Sequence, residues 1–140
     1  MRGLLIIGLL IGLIVASYAI ISSQDNNGNN SGTSDLNWNN DFNTALQKAK
    51  ETNKPIIIDF YANWCGACQQ LDEDTFSDPQ VIEKLNENYV LLKADIDSNP
   101  DLASQYQIYS VPTILIMDSN GQVIKRQEGY LPPDQFLNFI

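Results

Sequence analysis

Cys65 and Cys68 are the only cysteines in the chain, and two residues separate them in the segment YANWCGACQQ. The chain contains no histidine. Cysteines at this spacing occur in metal sites, in structural disulfides and in redox-active dithiols. These three kinds of site require different things of the rest of the chain, so the sequence can discriminate among them.

A zinc site is the least favoured, because a closed tetrahedral site needs about four ligands from cysteine, histidine or carboxylate. The chain offers two thiols and no imidazole. A structural disulfide would suit an exported protein. However, a ring that encloses only two residues constrains the unfolded chain little and therefore stabilises the fold little. No metal and no cofactor is predicted.

Redox chemistry fits the spacing best. Residues at i and i+3 share one helix face, with Cα atoms roughly 5–6 Å apart, which is within disulfide reach. If Cys65 begins a helix, unpaired N–H groups and the helix dipole stabilise its thiolate, which makes it the attacking sulfur. Cys68, one turn further on, then resolves the mixed disulfide. A strand that runs directly into the motif supplies this geometry.

The elements that must position the pair follow from periodicity and from helix-start and turn residues. Strands that alternate with helices, followed by a hairpin and a last helix, predict an α/β domain with a mixed sheet and helices on both faces. Residues 35–140 are enough for one core. The predicted elements are a helix through Phe42–Ala49 that ends before Lys54-Pro55, a strand Ile56–Tyr61, a helix from Gly66, a helix from Asp78-Pro79, a strand in YVLLKADI, a helix from Asn99-Pro100 to about Tyr106, a hairpin around Ser119-Asn120-Gly121 and a helix Pro133–Ile140.

The N-terminal segments differ in composition from this domain. Residues 1–21 contain the uncharged run Leu4–Ile21, which as a helix would span about 27 Å, near the lower limit for crossing a bilayer. Arg2 favours a cytoplasmic amino terminus and an exported domain. We predict an uncleaved transmembrane anchor. The alternative is a signal peptide cleaved near Ser17-Tyr18-Ala19, which also exports the domain. Residues 22–34 have no apolar side chain and predict a flexible linker.

The charge balance excludes one class of partner. The chain has 17 acidic and 8 basic side chains, a net charge of −9, and no basic cluster. Phosphate backbones repel such a chain, so nucleic-acid binding is not expected.

Several separated motifs resemble the thioredoxin superfamily. They are IIIDFYANWCGACQQ and LLKADIDSNPDLASQYQIYSVPTILIMDSNGQVIKRQEGY, while TFSDPQV is similar to the C-terminal, exported domain of the DsbD family of thiol:disulfide interchange proteins. The resemblance covers Trp38–Ile140 and implies a thioredoxin fold. It also implies roles: Cys65 as nucleophile, Cys68 as resolving cysteine, Asp59 as the buried acid that helps to move the resolving cysteine's proton, Lys93 as its neighbour, Pro112 as the cis-proline facing the disulfide, Val111 as a backbone partner for an extended substrate, and Trp64 as the aromatic residue before the first cysteine.

The residues themselves leave some of these roles open. Asp59 interrupts an apolar strand, where burial would raise its pKa toward a range useful for proton transfer. It could instead face solvent at a strand edge. Without the resemblance, a lysine within a strand would be expected on a solvated face, so this is the expectation for Lys93. The bond before Pro112 would be expected to be trans, since only about 5–6% of X-Pro bonds are cis. Trp64 and Tyr61 fit the core or the rim, and the acids of LDEDTF fit a solvated helix end.

These observations predict a single-pass cell-membrane protein with an extracytoplasmic disulfide-reductase domain. Gly66-Ala67 between the cysteines places no histidine beside the thiolate, which favours the reducing side of the scale. By resemblance, the reductant is a membrane electron-transfer protein and the substrates are exported proteins with disulfides. The alternatives are an oxidase or isomerase, and a non-enzymatic peptide-binding module whose cysteines remain a permanent disulfide.

Overall fold

A computed structural model describes residues 36–140 of the protein. The predicted anchor at 1–21 and the predicted linker at 22–34 lie outside the described residues, so both stay predictions. Within residues 36–140, no helix combines the length and the apolar character that crossing a membrane requires.

The order of the predicted elements is confirmed, and two short elements were not predicted: strand β1 and a π-helical turn. The elements are β1 (Trp38–Asn39), α1 (Phe42–Thr52), β2 (Ile56–Tyr61), α2 (Gly66–Gln70), the π-helical turn (Leu71–Thr75), α3 (Pro79–Asn88), β3 (Val90–Asp95), α4 (Pro100–Gln105), β4 (Thr113–Met117), β5 (Val123–Glu128) and α5 (Pro133–Phe139).

The helix boundaries follow from local chemistry. Asp41 caps α1 by accepting a hydrogen bond from the Thr44 amide at 2.7 Å, and α1 gives way to Asn53 in the left-handed conformation before Pro55. Asp78 caps α3 with Pro79 in the first turn. Both caps satisfy amide groups that a helix start leaves unpaired.

The strands form one five-stranded sheet in the order β1-β3-β2-β4-β5. Strand β2 is parallel to β3 and antiparallel to β4. The predicted mixed sheet is therefore confirmed, and the strand that leads into the cysteine pair is its central strand.

Helices cover both faces of this sheet, as predicted. Alternate residues of β2 point to opposite faces, so Ile57 packs with α3 and α5 while Ile56 and Ile58 pack with α1. The first cluster contains Leu36, Ile57, Leu71, Phe76, Val81, Leu85, Leu91, Ile114, Ile116 and Phe136. The second contains Ala45, Ala49, Ile56, Ile58, Phe60, Val90, Leu92, Ala94, Leu115 and Met117.

Candidate active site

The two cysteines lie where the central strand passes into a helix. Cys65 is the N-cap residue of α2, with extended backbone angles, and Cys68 lies within the first turn. They form a disulfide with a Cα–Cα distance of 5.3 Å, inside the predicted range. The Cys68 amide N–H donates a hydrogen bond to Cys65 Sγ at 3.1 Å. An amide that the helix start leaves unpaired is thus directed at the predicted attacking sulfur.

Trp64 precedes the disulfide and stands out of the core. Its side chain is 70% exposed, and its indole Nε1 donates a hydrogen bond to Asp97 Oδ2 at 2.9 Å. The structure therefore places Trp64 on the rim rather than in the core. Tyr61, in contrast, is half-buried against the ammonium group of Lys93.

The Val111–Pro112 segment lies against the sulfur. The Val111–Pro112 peptide bond is cis, as the resemblance implied. The Val111 carbonyl oxygen is 3.5 Å from Cys65 Sγ, and the Pro112 carbonyl accepts a hydrogen bond from the Gly129 amide at 2.8 Å. The backbone of Val111 therefore lies beside the atom that would react with a substrate.

Asp59 lies in the interior of the sheet. It is 1% exposed and is paired in register with Lys93 on β3 and Ile114 on β4. The alternative of a solvent-facing carboxylate at a strand edge is therefore wrong. Its Oδ2 lies 3.7 Å from Lys93 Nζ, and its Oδ1 has no hydrogen-bond partner among residues 36–140.

This environment perturbs the acid strongly. Burial raises the pKa of Asp59 from an ordinary value of 3.8 to about 7, against the opposing effect of the Lys93 ammonium, and the negative charge of Asp72 adds to the rise. Loss of hydration penalises the charged form of a carboxyl group. Near neutral pH, Asp59 can therefore both accept and release a proton.

Lys93 is enclosed rather than solvated, so the expectation of a solvated face is wrong. Its ammonium group forms ion pairs with Asp59 and, more closely, with Asp72. It also lies 5.7 Å from the ring centre of Trp38, 5.1 Å from that of Tyr61 and 5.8 Å from that of Phe76. Aromatic faces attract a cation at these distances.

The acids of the π-helical turn differ in their surroundings. Asp72 was expected at a solvated helix end, but it is half-buried and binds Lys93. Asp74 and Glu73 are exposed, and Asp74 accepts a hydrogen bond from the Tyr130 hydroxyl at 3.0 Å. Asp72 is therefore a site residue that sequence reasoning missed. No local signal in the sequence indicated this contact, because Lys93 is 21 residues away along the chain.

Comparison with known proteins agrees with this geometry. A family model described as a thioredoxin-like domain matches residues 42–140. The chain belongs to the thioredoxin-like family.

Relatives of this thioredoxin-like chain include DsbD proteins, as the resemblance predicted. The thiol:disulfide interchange protein DsbD of Vibrio vulnificus is 37% identical over 101 residues, which cover 68% of this chain and 17% of the relative. The chain thus spans less than a fifth of the length of that relative. Thioredoxin Y, chloroplastic, of Oryza sativa subsp. japonica is 36% identical over 99 residues, which cover 71% of this chain and 55% of the relative.

Solved structures show the same thioredoxin fold. The DsbD C-terminal domain of Neisseria meningitidis, in the oxidised form, is 25% identical with a TM-score of 0.58, covering 73% of this chain and 95% of that domain. A thioredoxin from Thermus thermophilus is 25% identical with a TM-score of 0.67, covering 74% of this chain and 82% of the other.

One cavity in this thioredoxin-like domain lies away from the dithiol. Within residues 36–140, no group of three or more cysteine or acidic side chains is arranged to hold a metal ion. A cavity of about 200 Å³ lies beside Asn39, Lys48 and Lys54, and none of the predicted site residues lines it. The roles assigned to those residues by resemblance stay predictions.

Proposed function

We propose that this protein is a membrane-tethered, extracytoplasmic protein-disulfide reductase. The observation that carries the proposal is the Cys65–Cys68 disulfide at the start of α2, with the Val111 carbonyl 3.5 Å from Cys65 Sγ. Cys65 is itself only 6% exposed, whereas the neighbouring Trp64 is on the surface, so we place the approach of a substrate chain on the Trp64 side of the disulfide.

In the first step, reduced Cys65 attacks one sulfur of a substrate disulfide as a thiolate. The substrate S–S bond breaks, a Cys65–substrate mixed disulfide forms, and the displaced substrate sulfur takes up a proton. The Cys68 amide N–H directed at Cys65 Sγ supports this role, since a hydrogen bond to a thiolate stabilises the charged form.

In the second step, Cys68 attacks Cys65 Sγ, and the substrate leaves as a dithiol. Cys68 must first lose its thiol proton, and we assign that proton to the Asp59 carboxylate, directly or through water. The pKa of Asp59, raised to about 7 by burial, suits a base at neutral pH. The substrate gains two electrons, and the enzyme retains the Cys65–Cys68 disulfide.

Turnover then needs a donor of two electrons that reduces this disulfide. The relationship to DsbD proteins supports a membrane electron-transfer protein as that donor and disulfide-bearing exported proteins as substrates. The uncharged run Leu4–Ile21 supports tethering to the membrane with the domain outside the cytoplasm.

The direction of electron flow can be measured as a reduction potential. A value of about −270 mV supports a reductase, whereas a value of about −120 mV would identify an oxidant. The absence of histidine from the chain supports the lower value, because a neighbouring imidazolium would stabilise the thiolate and favour the reduced form.

The chemistry itself is tested by trapping. With an oxidised polypeptide such as insulin, pre-reduced Cys68→Ala protein should accumulate a mixed disulfide through Cys65, visible by non-reducing electrophoresis and mass spectrometry. The matched Cys65→Ala variant should form none. Failure of Cys68→Ala to form the adduct, together with failure of the wild type to reduce insulin, would refute the proposal.

A further inference from the structure

The segment that leads into Val111 is a surface loop, residues 106–110, which follows α4. Tyr109 in this loop is 88% exposed, more than any other large apolar side chain among residues 36–140. Gln107 has a positive φ of 53°, as in a left-handed helix C-terminal cap. The amides of Gln107 and Ile108 donate hydrogen bonds to the Ser104 and Ala103 carbonyls at 3.1 and 2.9 Å. These bonds join the 106–110 loop to α4, and side chains of β5 provide a second support.

Arg126 on β5 supplies that support at the start of the loop. Its Nη1 donates a hydrogen bond to the Tyr106 carbonyl at 2.9 Å, and its Nη2 donates to the Gln107 carbonyl at 2.6 Å. The rigid planar guanidinium of arginine can donate to two neighbouring acceptors at once, whereas the single compact ammonium of lysine lacks this forked geometry.

Glu128, two residues further along β5, holds the other end. Its Oε1 accepts a hydrogen bond from Arg126 Nε at 3.0 Å, and its Oε2 accepts one from the Ser110 hydroxyl at 3.3 Å. We call Arg126 and Glu128 the β5 clasp, because this ion pair contacts both ends of the 106–110 loop. The backbone just beyond is fixed separately, since the Thr113 hydroxyl donates to the Ser110 carbonyl at 2.7 Å.

We propose that the β5 clasp positions the 106–110 loop for binding a polypeptide substrate. By holding Tyr106, Gln107 and Ser110, it sets the direction in which Tyr109 and the Val111 backbone meet a chain that lies across Cys65. Arg126 and Glu128 are positioning residues, since they contact the loop and not the reacting sulfur. This inference rests on the reductase function proposed above.

The clasp predicts a difference between classes of substrate. An extended polypeptide contacts the loop as well as the sulfur, and so needs the loop in place. A small disulfide such as 2-hydroxyethyl disulfide needs only access to Cys65. A purely structural role would affect both substrates alike. The Arg126 and Glu128 side chains are 33% and 55% exposed, so their ion pair stabilises the fold little.

The test compares two methionine variants of the full-length protein. Arg126→Met removes the two guanidinium donors to the Tyr106 and Gln107 carbonyls. Lys125→Met removes the same charge from the neighbouring residue, whose ammonium binds the Phe139 carbonyl instead. We measure kcat/KM for insulin and for 2-hydroxyethyl disulfide. In Arg126→Met the insulin-to-small-disulfide ratio should fall about fivefold to tenfold, mainly through KM, the loss expected for about one hydrogen bond of ordinary net strength. Lys125→Met should keep the wild-type ratio.

Variants at Glu128 provide a second, independent test. Glu128→Ala should also lower the insulin-to-small-disulfide ratio. Glu128→Gln retains a side-chain oxygen that can accept hydrogen bonds, so it should keep the ratio close to that of the wild type. An unchanged ratio in both Arg126→Met and Glu128→Ala would overturn the clasp, while leaving the reductase function intact. Wild-type protein that reduces neither substrate would overturn the reductase proposal and the clasp with it.

Discussion

Asp59→Asn tests whether the buried carboxyl group of Asp59 lowers the free energy of unfolding of the protein. Burial raises the pKa of Asp59 from 3.8 to about 7. A tenfold change in an equilibrium constant is about 1.4 kcal/mol, so ionising Asp59 in the folded protein costs about 4 kcal/mol more than in the unfolded chain. The variant avoids this cost, because an amide does not ionise.

The sign of the pH dependence follows from proton binding. The unfolded chain loses the Asp59 proton near pH 3.8, whereas the folded protein keeps it until about pH 7. Between these values the folded state binds more protons, so Asp59 makes the free energy of unfolding fall as pH rises through this window. Above the window its contribution is constant. The buried amide of Asp59→Asn imposes its own cost, of about 1–3 kcal/mol, but this cost is the same at every pH.

The assay is urea unfolding of the oxidised protein at several pH values from about 4 to 8, followed by fluorescence of Trp38 and Trp64. Over this range, the free energy of unfolding of the wild type should fall by about 4 kcal/mol relative to that of Asp59→Asn. Asp101→Asn, at an exposed carboxyl, is the matched control and should show no such change. Parallel curves for Asp59→Asn and the wild type would refute the argument.

Three further substitutions test the surroundings of the acid and the core. Lys93→Met should extend the Asp59-dependent loss of stability to a higher pH, because the ammonium lowers the pKa of Asp59 in the folded protein. Asp72→Asn should end this loss at a lower pH, because the Asp72 charge raises that pKa. The same pH series measures both, and a shift of this upper limit in the opposite direction would contradict either prediction. Phe136→Ala removes a fully buried ring packed edge-on against Phe76. It should lower the free energy of unfolding by about 3–5 kcal/mol in urea, and a loss below about 1 kcal/mol would contradict the packing.

The elements that depend on local chemistry could be predicted from the sequence. The run Ile56–Tyr61 is apolar and β-branched, and it is a strand. Asp78 with Pro79 is a helix start by the same local reasoning, since the cap and the first turn involve adjacent residues. Cys65 at the N-cap followed from a strand running into the motif.

Contacts between distant segments could not be predicted in this way. Lys93 contacts Asp72, which is 21 residues away and enters the site through the π-helical turn. Trp38, which contacts Lys93, lies in the two-residue strand β1, and this strand is too short to leave a periodic pattern in the sequence. The hydrogen bonds from Arg126 to carbonyls 19 and 20 residues earlier leave no mark on the composition of the loop.

The division of Lys93 between two carboxylates is consistent with the proposed role of Asp59 as a base near neutral pH. If Lys93 bound Asp59 alone and closely, it would lower the pKa of Asp59, and the carboxylate would be too weak a base to remove a thiol proton. If Lys93 were absent, burial would keep Asp59 protonated at neutral pH, and it could accept no proton. The observed separation of 3.7 Å, with the closer pairing given to Asp72, lies between these limits. Asp59 therefore retains a pKa near 7, and the protein tolerates the loss of stability that this requires.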